Sequence, residues 1–351
     1  VSTVLDPRSI EREIARIRER ESNPYSSGVK TNLFTLVIFR GQGGQDKDDP
    51  LASSLQYMLG RRPARIITID HVDAPETDVM VSGRCFPDRR NRGVCFEEVQ
   101  IESGADGLGE DPGAWAPLLI RDLPVFAWWP DSLHGFQDSW QTPILQSASL
   151  IDKLIVDSGS IRGGPNAPRL DDEGAAFAAM RSLLSLRKRA GGSFSISDFA
   201  WRRSRVLREL TARAFDQPDT RPRLSQIRSV TLDGGSAADG LLFFSWLSTR
   251  LGWSPARHED GFSPCKDRAG REIRLVHATS GFQLSEGFRL RFSFEGQQPI
   301  EIGCTRGGCV SNGADRGAYK FPTDGETLLE EVDSMTRDPI YQEVLERAGR
   351  G

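Results

Sequence analysis

Cysteine and histidine are both scarce in this chain of 351 residues, which has five of the first and four of the second, and both shortages narrow its chemistry. The cysteines Cys85, Cys95, Cys265, Cys304 and Cys309 are odd in number and scattered, unlike the dense, even framework of a small secreted scaffold. That pattern predicts a reducing, cytoplasmic setting. No run approaches the ~18 uninterrupted apolar residues of a membrane span. Residues 1–20 mix Arg, Glu and Ile at helical spacing in place of a signal-peptide layout. A membrane is therefore not an expected partner. Charge of one sign is not in excess either: a net charge of -4 lacks the basic footprint of a protein whose main partner is nucleic acid. Repeats and low-complexity tracts are absent as well.

What is present is an ordinary globular composition over a length at which single cores usually stop growing, so two domains are expected. Asp6-Pro7 followed by Ile10, Ile14 and Ile17 predicts a first helix. The apolar segments 33–39 and 65–70, separated by a helical stretch from Asp49-Pro50 to Gly60, predict a strand, crossover helix and parallel strand. Alternation at 79–86 and 94–101 predicts a hairpin; residues 115–120 read as helical, and 124–129 and 154–157 as further strands. Beyond the glycine- and proline-rich stretch 158–170, helices are expected after Asp171 or Asp172, after Ser197-Asp198 and over 241–251. Alternating strands follow at 271–277, 288–294 and 300–302, and then a helix over 326–348 that Pro339 divides. The expected fold class is thus α/β: an N-terminal α/β domain with a mixed sheet over 1–165, then an α+β domain with helices and an antiparallel sheet over 166–351.

Catalytic signatures are hard to find. Gly41-Gln42-Gly43-Gly44 sits between a predicted strand and a helix, where a glycine loop can cradle phosphate, but the third glycine of the dinucleotide fingerprint falls on Asp46. Asp48 and Asp49 add charge of the wrong sign, so a connecting loop is the preferred reading. A sugar-phosphate-binding enzyme or sensor using Gly41 to Gly44 is the alternative. Cys304, Cys309, Cys265, His258 and His277 lack the compact spacings of a zinc site and read as thiols and structural histidines. His71 beside Asp70 and Asp73 reads as structural, and no nucleophile elbow accompanies His134 or any other histidine. No catalytic residue, metal or cofactor is assigned. Cys85 and Cys95 would oppose one another in a hairpin symmetric about Arg90, with Cβ atoms ~4.5–5.5 Å apart, and are the candidate redox thiols.

Trp128-Trp129 ends an apolar strand, where adjacent side chains point to opposite faces. Arg202, Arg203, Arg205, Arg208 and Arg213 lie away from the apolar stripe of the helix after Asp198. Core packing and a solvated arginine face are the plain readings. The functional one makes Trp128, Trp129, Arg202, Arg203, Arg205 and Arg208 a candidate partner interface.

A series of segments resembles the OpcA family in order along the chain. Arg62-Pro63-Ala64-Arg65-Ile66-Ile67 resembles its Pro-Ser-Arg-Val-Ile segment, and Val94-Cys95-Phe96-Glu97-Glu98-Val99 its Cys-Ser-Glu-Gln-Ile strand. The closest match is the run from Leu118 through Ile120-Arg121-Asp122-Leu123-Pro124 to Trp128-Trp129, followed by Ile155-Val156-Asp157-Ser158. Asp198-Phe199-Ala200-Trp201 with Arg208-Glu209-Leu210 is similar to the family's Asp-Leu-x-Trp and Trp-Arg-Glu-Leu pieces, with Leu207 in place of a tryptophan. The leucine-rich run ending in Leu251-Gly252-Trp253, and Asp338-Pro339-Ile340-Tyr341, complete the set. The resemblance implies a non-catalytic assembly factor and allosteric activator of glucose-6-phosphate dehydrogenase, serving the oxidative pentose phosphate pathway and NADPH supply. It also implies a link to redox control, without assigning that role to any cysteine.

Overall fold

The runs TLVIFR and RIITIDH are apolar on both sides, as a parallel strand covered on two faces requires, and they pair in parallel with Leu36, Val37, Ile38, Ile66 and Ile67 buried. The computed structural model describes residues 6–22, 28–29, 32–40, 50–87, 93–133, 141–160, 169, 171–255, 264–278, 283–284, 286–305, 308–311, 315–317, 319 and 321–349. In chain order they begin with α1 (Pro7–Ser22), β1 (Gly28–Val29), β2 (Thr35–Arg40), α2 (Pro50–Leu59), β3 (Arg65–His71), β4 (Asp78–Pro87) and β5 (Gly93–Ser103). Next come α3 (Pro112–Trp115), β6 (Val125–Trp129), α4 (Gln141–Gln146), β7 (Lys153–Val156), α5 (Glu173–Arg189) and β8 (Ser195–Asp198). There follow α6 (Phe199–Arg203), α7 (Arg205–Ala214), β9 (Ile227–Asp233), α8 (Ala237–Leu251), β10 (Ser254–Pro255), β11 (Cys265–Lys266) and β12 (Glu272–Ala278). The last are β13 (Gly287–Phe294), β14 (Gln297–Thr305), β15 (Gly308–Ser311), β16 (Asp315–Gly317), α9 (Asp324–Asp333) and α10 (Pro339–Ala348).

Two compact units are interleaved in sequence: Val1–Ala167, Leu186–Ser197 and Thr323–Arg337 form one, and Pro168–Ser185, Asp198–Pro322 and Asp338–Gly351 the other. Sequence patterning points to a single division at 165/166; the chain instead returns twice to its first unit. The reason for the second return lies in α9. Gly325 lets α9 seat against Tyr57 of α2, since a Cβ there would lie 2.8 Å from the tyrosine Cβ. Arg62 donates two hydrogen bonds of 2.8 Å to the Asp333 carboxylate. Lys153, buried in β7, donates to Glu331 Oε2 and to the Glu331 and Ser334 carbonyl oxygens. These long-range contacts leave no local periodicity to read.

In the first unit the strand order is β1-β5-β3-β2-β6-β7-β8, with β4 antiparallel to β5 at the edge, so the sheet is mixed. Helix α1 lays Ile10, Ile14 and Ile17 on this edge. Residues 115–120 are less regular than their sequence suggests: α3 ends at Trp115, and Pro117 tightens the continuation into a single 3₁₀ turn.

The second unit's sheet runs β10-β11-β12-β9-β13-β14-β15-β16, with β12 and β9 parallel and every other adjacent pair antiparallel. Phe288, Leu290, Phe292 and Phe294 alternate inward against Val206, Leu207, Leu210, Phe243 and Leu247 from α7 and α8. Burial of each such side chain stabilises by ~1.5–3 kcal/mol. Strand β9 sits at the centre of this sheet. The helix expected after Ser197-Asp198 is two helices, because Ser204 turns its hydroxyl onto the Trp201 carbonyl oxygen (2.9 Å) and ends α6. Helix α8 opens with a reciprocal Ser236–Asp239 capping box and closes on Gly252 at φ 68°, the left-handed position that glycine accepts at no steric cost.

Candidate functional site

Without its peripheral strands β1 and β4, the first sheet reads β5-β3-β2-β6-β7-β8, the 3-2-1-4-5-6 order of a doubly wound dinucleotide-binding domain. Ligands of such sheets bind at the carboxyl ends of the strands where the order reverses, here between β2 and β6. An acidic residue beyond the first glycine loop then takes the ribose hydroxyls. Asp70, near the end of β3, is the corresponding carboxylate, and it is already spent. It is 6% exposed, accepts from Gln100 Nε2 at 2.9 Å, and faces Arg40 Nε at 3.4 Å across the β2–β3 register. Burial pushes its carboxyl above the ordinary range; Arg40 and Gln100 oppose that, while Glu102 and Asp131 add to it. Buried and engaged on both oxygens, Asp70 is not presented to solvent as a ribose-binding carboxylate would be. The Gly41 to Gly44 loop lies outside the described residues.

The family-like segments of the second unit meet one another. Asp198 caps α6 by accepting from Ala200 N (3.0 Å), and its other oxygen accepts from the Tyr341 hydroxyl of α10 (3.1 Å). Asp338 caps α10 by accepting from Ile340 N and Tyr341 N (3.0 Å each), and its other oxygen accepts from Trp201 Nε1 of α6 (2.8 Å). Each aspartate therefore ends its own helix and holds the other's aromatic ring. Arg208 stacks with its Cζ 3.1 Å from the Trp201 ring centroid. Desolvation pulls it down to about 9, with Asp338 pulling the other way, so it stays protonated at neutral pH. Sequence reasoning finds a helix start at Ser197-Asp198 and a break at Pro339, but not the Asp338 cap or the reciprocity of the two. Two Asp-x-x-aromatic steps at helix starts are the signal that was available.

The structure buries half of the candidate interface residues. Trp128 is 1% and Trp129 6% exposed, because β6 lies between β2 and β7 in a sheet covered on both faces, so alternation sends neither indole outward. Trp129 Nε1 donates to the Ser132 carbonyl oxygen at 3.4 Å. Arg203 is buried beside Asp239 (3.9 Å), and Arg208 is half-buried in the clamp just described. Arg202 is half-buried; Arg205 is exposed, with Nε 3.7 Å from Glu209. Arg213 donates to the Tyr319 hydroxyl at 2.5 Å.

Cys85 and Cys95 are direct neighbours across β4 and β5 and form a disulfide. The pair lines a small hollow beneath Ile14, Ile17 and Arg18 of α1. Cys304 and Cys309, which read from sequence as thiols, are also opposed, on β14 and β15, and also bonded. Cys265 is the buried free thiol. His71 Nδ1 lies 2.8 Å from Glu110 Oε1. His277 packs its ring over Gly240, and burial lowers its pKa. His134 and His258 lie outside the described residues, among which no group of three His, Cys, Asp or Glu side chains is placed to hold a metal.

Comparison with known proteins adds what the geometry alone does not. A family model described as the glucose-6-phosphate dehydrogenase subunit N-terminal domain matches residues 57–171, and one described as that subunit's C-terminal domain matches 194–345. A protein of Nostoc punctiforme, provisionally named OxPP cycle protein OpcA, is 30% identical over 229 residues, 63% of this chain and 43% of its own. Its namesake in Synechocystis is 25% identical over 264 residues, 74% of this chain and 47% of its own. The chain spans about half the length of these curated relatives. Among solved structures, an aldose-aldose oxidoreductase from Caulobacter crescentus aligns over 90% of this chain and 98% of its own, at 10% identity and a TM-score of 0.40. An amine dehydrogenase from Mycobacterium smegmatis aligns over 88% and 95%, at 10% identity and a TM-score of 0.35. Both likenesses are too remote to bear on activity. With one domain model matching each half in the same order as the motifs, the chain belongs to the OpcA family.

Proposed function

We propose that this chain is a non-catalytic assembly factor and allosteric activator of glucose-6-phosphate dehydrogenase, and that it supports the oxidative pentose phosphate pathway and its NADPH supply from the cytoplasm. The observation that carries this reading is the pair of domain matches, both described as parts of a subunit of that enzyme. The geometry is compatible with it: the family-like residues Asp198, Trp201, Arg208, Asp338 and Tyr341 are spent on holding α6, α7 and α10 together, and present no reactive group. Activation then follows from tighter binding to the active conformation or oligomer of the enzyme than to the inactive one. Of the arginines considered as contacts, Arg205 and Arg213 are exposed. Titrating the protein into its cognate dehydrogenase, under reducing and oxidising conditions, with co-elution followed by size-exclusion chromatography, tests the reading. A saturable rise in activity with co-elution is expected. Co-elution without kinetic change would leave a passive scaffold, and neither effect would end the proposal.

A further inference from the structure

Where β9 and β14 end and β13 begins, a cavity of about 320 Å³ opens among Asp233, Glu286, Arg289 and Thr305 in the second unit. Alternation along β13 sends Phe288 and Leu290 into the core and therefore Arg289 outward, where it is exposed. Its register neighbours are Asp233 on β9 and Gly303 on β14. A Cβ at Gly303 would meet no atom within 4 Å, so the strand on that side leaves the space above Arg289 open. The mouth is fixed by close backbone approach: Gly234, at φ 108°, sits where a Cβ would lie 2.9 Å from the Gly287 carbonyl oxygen.

The charges differ from those of the surrounding sheet. Arg291, two residues on, is matched by Glu301 at 3.5 Å. Arg289 is engaged by no carboxylate among the described residues. A guanidinium without a carboxylate partner in a concavity offers a fork of N–H donors to one phosphate or carboxylate group. Asp233, Glu286 and Thr305 line it with oxygen acceptors, each of them already holding another contact, as Glu286 does to Gln283 N (3.1 Å). Two carboxylates beside one cation repel a ligand with several anionic groups and favour one with hydroxyls to donate. The volume lies at the small end of the ~300–1,000 Å³ of ligand pockets, enough for a monosaccharide-sized molecule.

We propose that this cavity binds a small polyhydroxylated molecule bearing a single anionic group, a sugar phosphate or sugar acid, with Arg289 on the anion and Asp233 and Glu286 accepting from hydroxyls. The site does not depend on the dehydrogenase reading, and its test needs no partner protein. Isothermal titration of the purified chain with glucose 6-phosphate, gluconate, glucose and inorganic phosphate separates the contributions. Glucose 6-phosphate or gluconate is expected to bind below about 1 mM, with glucose and inorganic phosphate each at least roughly tenfold weaker. Arg289→Gln should weaken the anionic ligand roughly tenfold or more, the usual effect of losing a charge-assisted contact, while its unchanged melting temperature reports an intact fold. Asp233→Asn should weaken the sugar ligand but not inorganic phosphate. The proposal fails if neither anionic sugar binds at millimolar concentration, if inorganic phosphate binds as tightly as glucose 6-phosphate, or if Arg289→Gln binds like the unaltered protein.

Discussion

Replacing Asp338 by alanine removes three kinds of interaction from one place, which makes it the sharpest probe of the second unit. Its carboxylate caps α10 through Ile340 N and Tyr341 N, a contribution of ~1 kcal/mol. Its loss leaves Trp201 Nε1 inside the structure with no acceptor, at ~1–3 kcal/mol. It also removes the nearby opposite charge that offsets the desolvation of Arg208. These effects share atoms and do not add, so we expect a total of ~2–3 kcal/mol, or roughly 8 °C in the melting temperature of this unit. Asp338→Asn keeps one acceptor oxygen and turns the other into an NH2 donor, so it can cap α10 or accept from Trp201 Nε1 but not both, and it should cost less than alanine by about the interaction it retains. Arg208→Met should also cost less, because it removes a desolvated cation and leaves the Asp338 carboxylate with three N–H donors. Differential scanning calorimetry, with the transitions of the two units fitted separately, measures all three. A loss below ~1 kcal/mol in Asp338→Ala, or a larger loss in Arg208→Met, would show that the clamp is not held as argued.

Three further outcomes are expected. Burial raises Asp70, so between its ordinary and folded values the native state binds the proton more readily; the stability this contributes is full at low pH and lost as pH rises through the folded value. Asp70→Asn should therefore melt higher than the unaltered protein at pH 7 and lose that advantage in acid, as a melting series from pH 7 to pH ~3 would show. Gly83→Ala puts a Cβ 2.9 Å from Ile17 Cγ2 and 3.1 Å from the Phe96 carbonyl oxygen, so it should destabilise by ~1–3 kcal/mol in urea titration, with Ile17→Ala in the same chain recovering part of the loss. Thiol titration of the unfolded, unreduced protein should count one thiol, Cys265, rising to five after a dithiol reductant; five from the start would mean that neither hairpin is bonded.

The elements legible in the sequence are those whose partners are local. Period-two alternation at 288–294 and apolar-rich runs at 33–39 and 65–70 report burial directly, and β13, β2 and β3 lie there. Strand β9 is different. Arg228, Ser229 and Thr231 interleave with Ile227, Val230 and Leu232, the alternation is broken by a bulge against β13, and its central place depends on β12 and β13, which come later in the chain. Interleaving of the two units was hidden for the same reason, since Lys153 reads as an ordinary strand residue until Glu331 arrives from 178 positions away. At the candidate interface the error was physical. A tryptophan pair on a strand alternates between two faces, but in a doubly covered sheet both faces are core.

That last distinction decides how variants of this protein should be read. Asp198, Trp201, Asp338 and Tyr341 carry much of the family likeness, yet their polar atoms are turned toward one another. A variant such as Trp201→Ala that abolished activation of the dehydrogenase would therefore not place Trp201 at the interface. If the residue acts by holding α6 to α10, the loss of activation should follow the loss of folded protein: weak at 10 °C, steep near the lowered melting temperature, and recovered by any change that stabilises the second unit. A true contact residue behaves oppositely, losing affinity by a fixed factor at temperatures where the protein is fully folded. Measuring activation and circular dichroism on the same samples of Trp201→Ala and Arg205→Glu across that temperature range separates the two. The clamp reading fails if Trp201→Ala is fully folded at 10 °C and still inert.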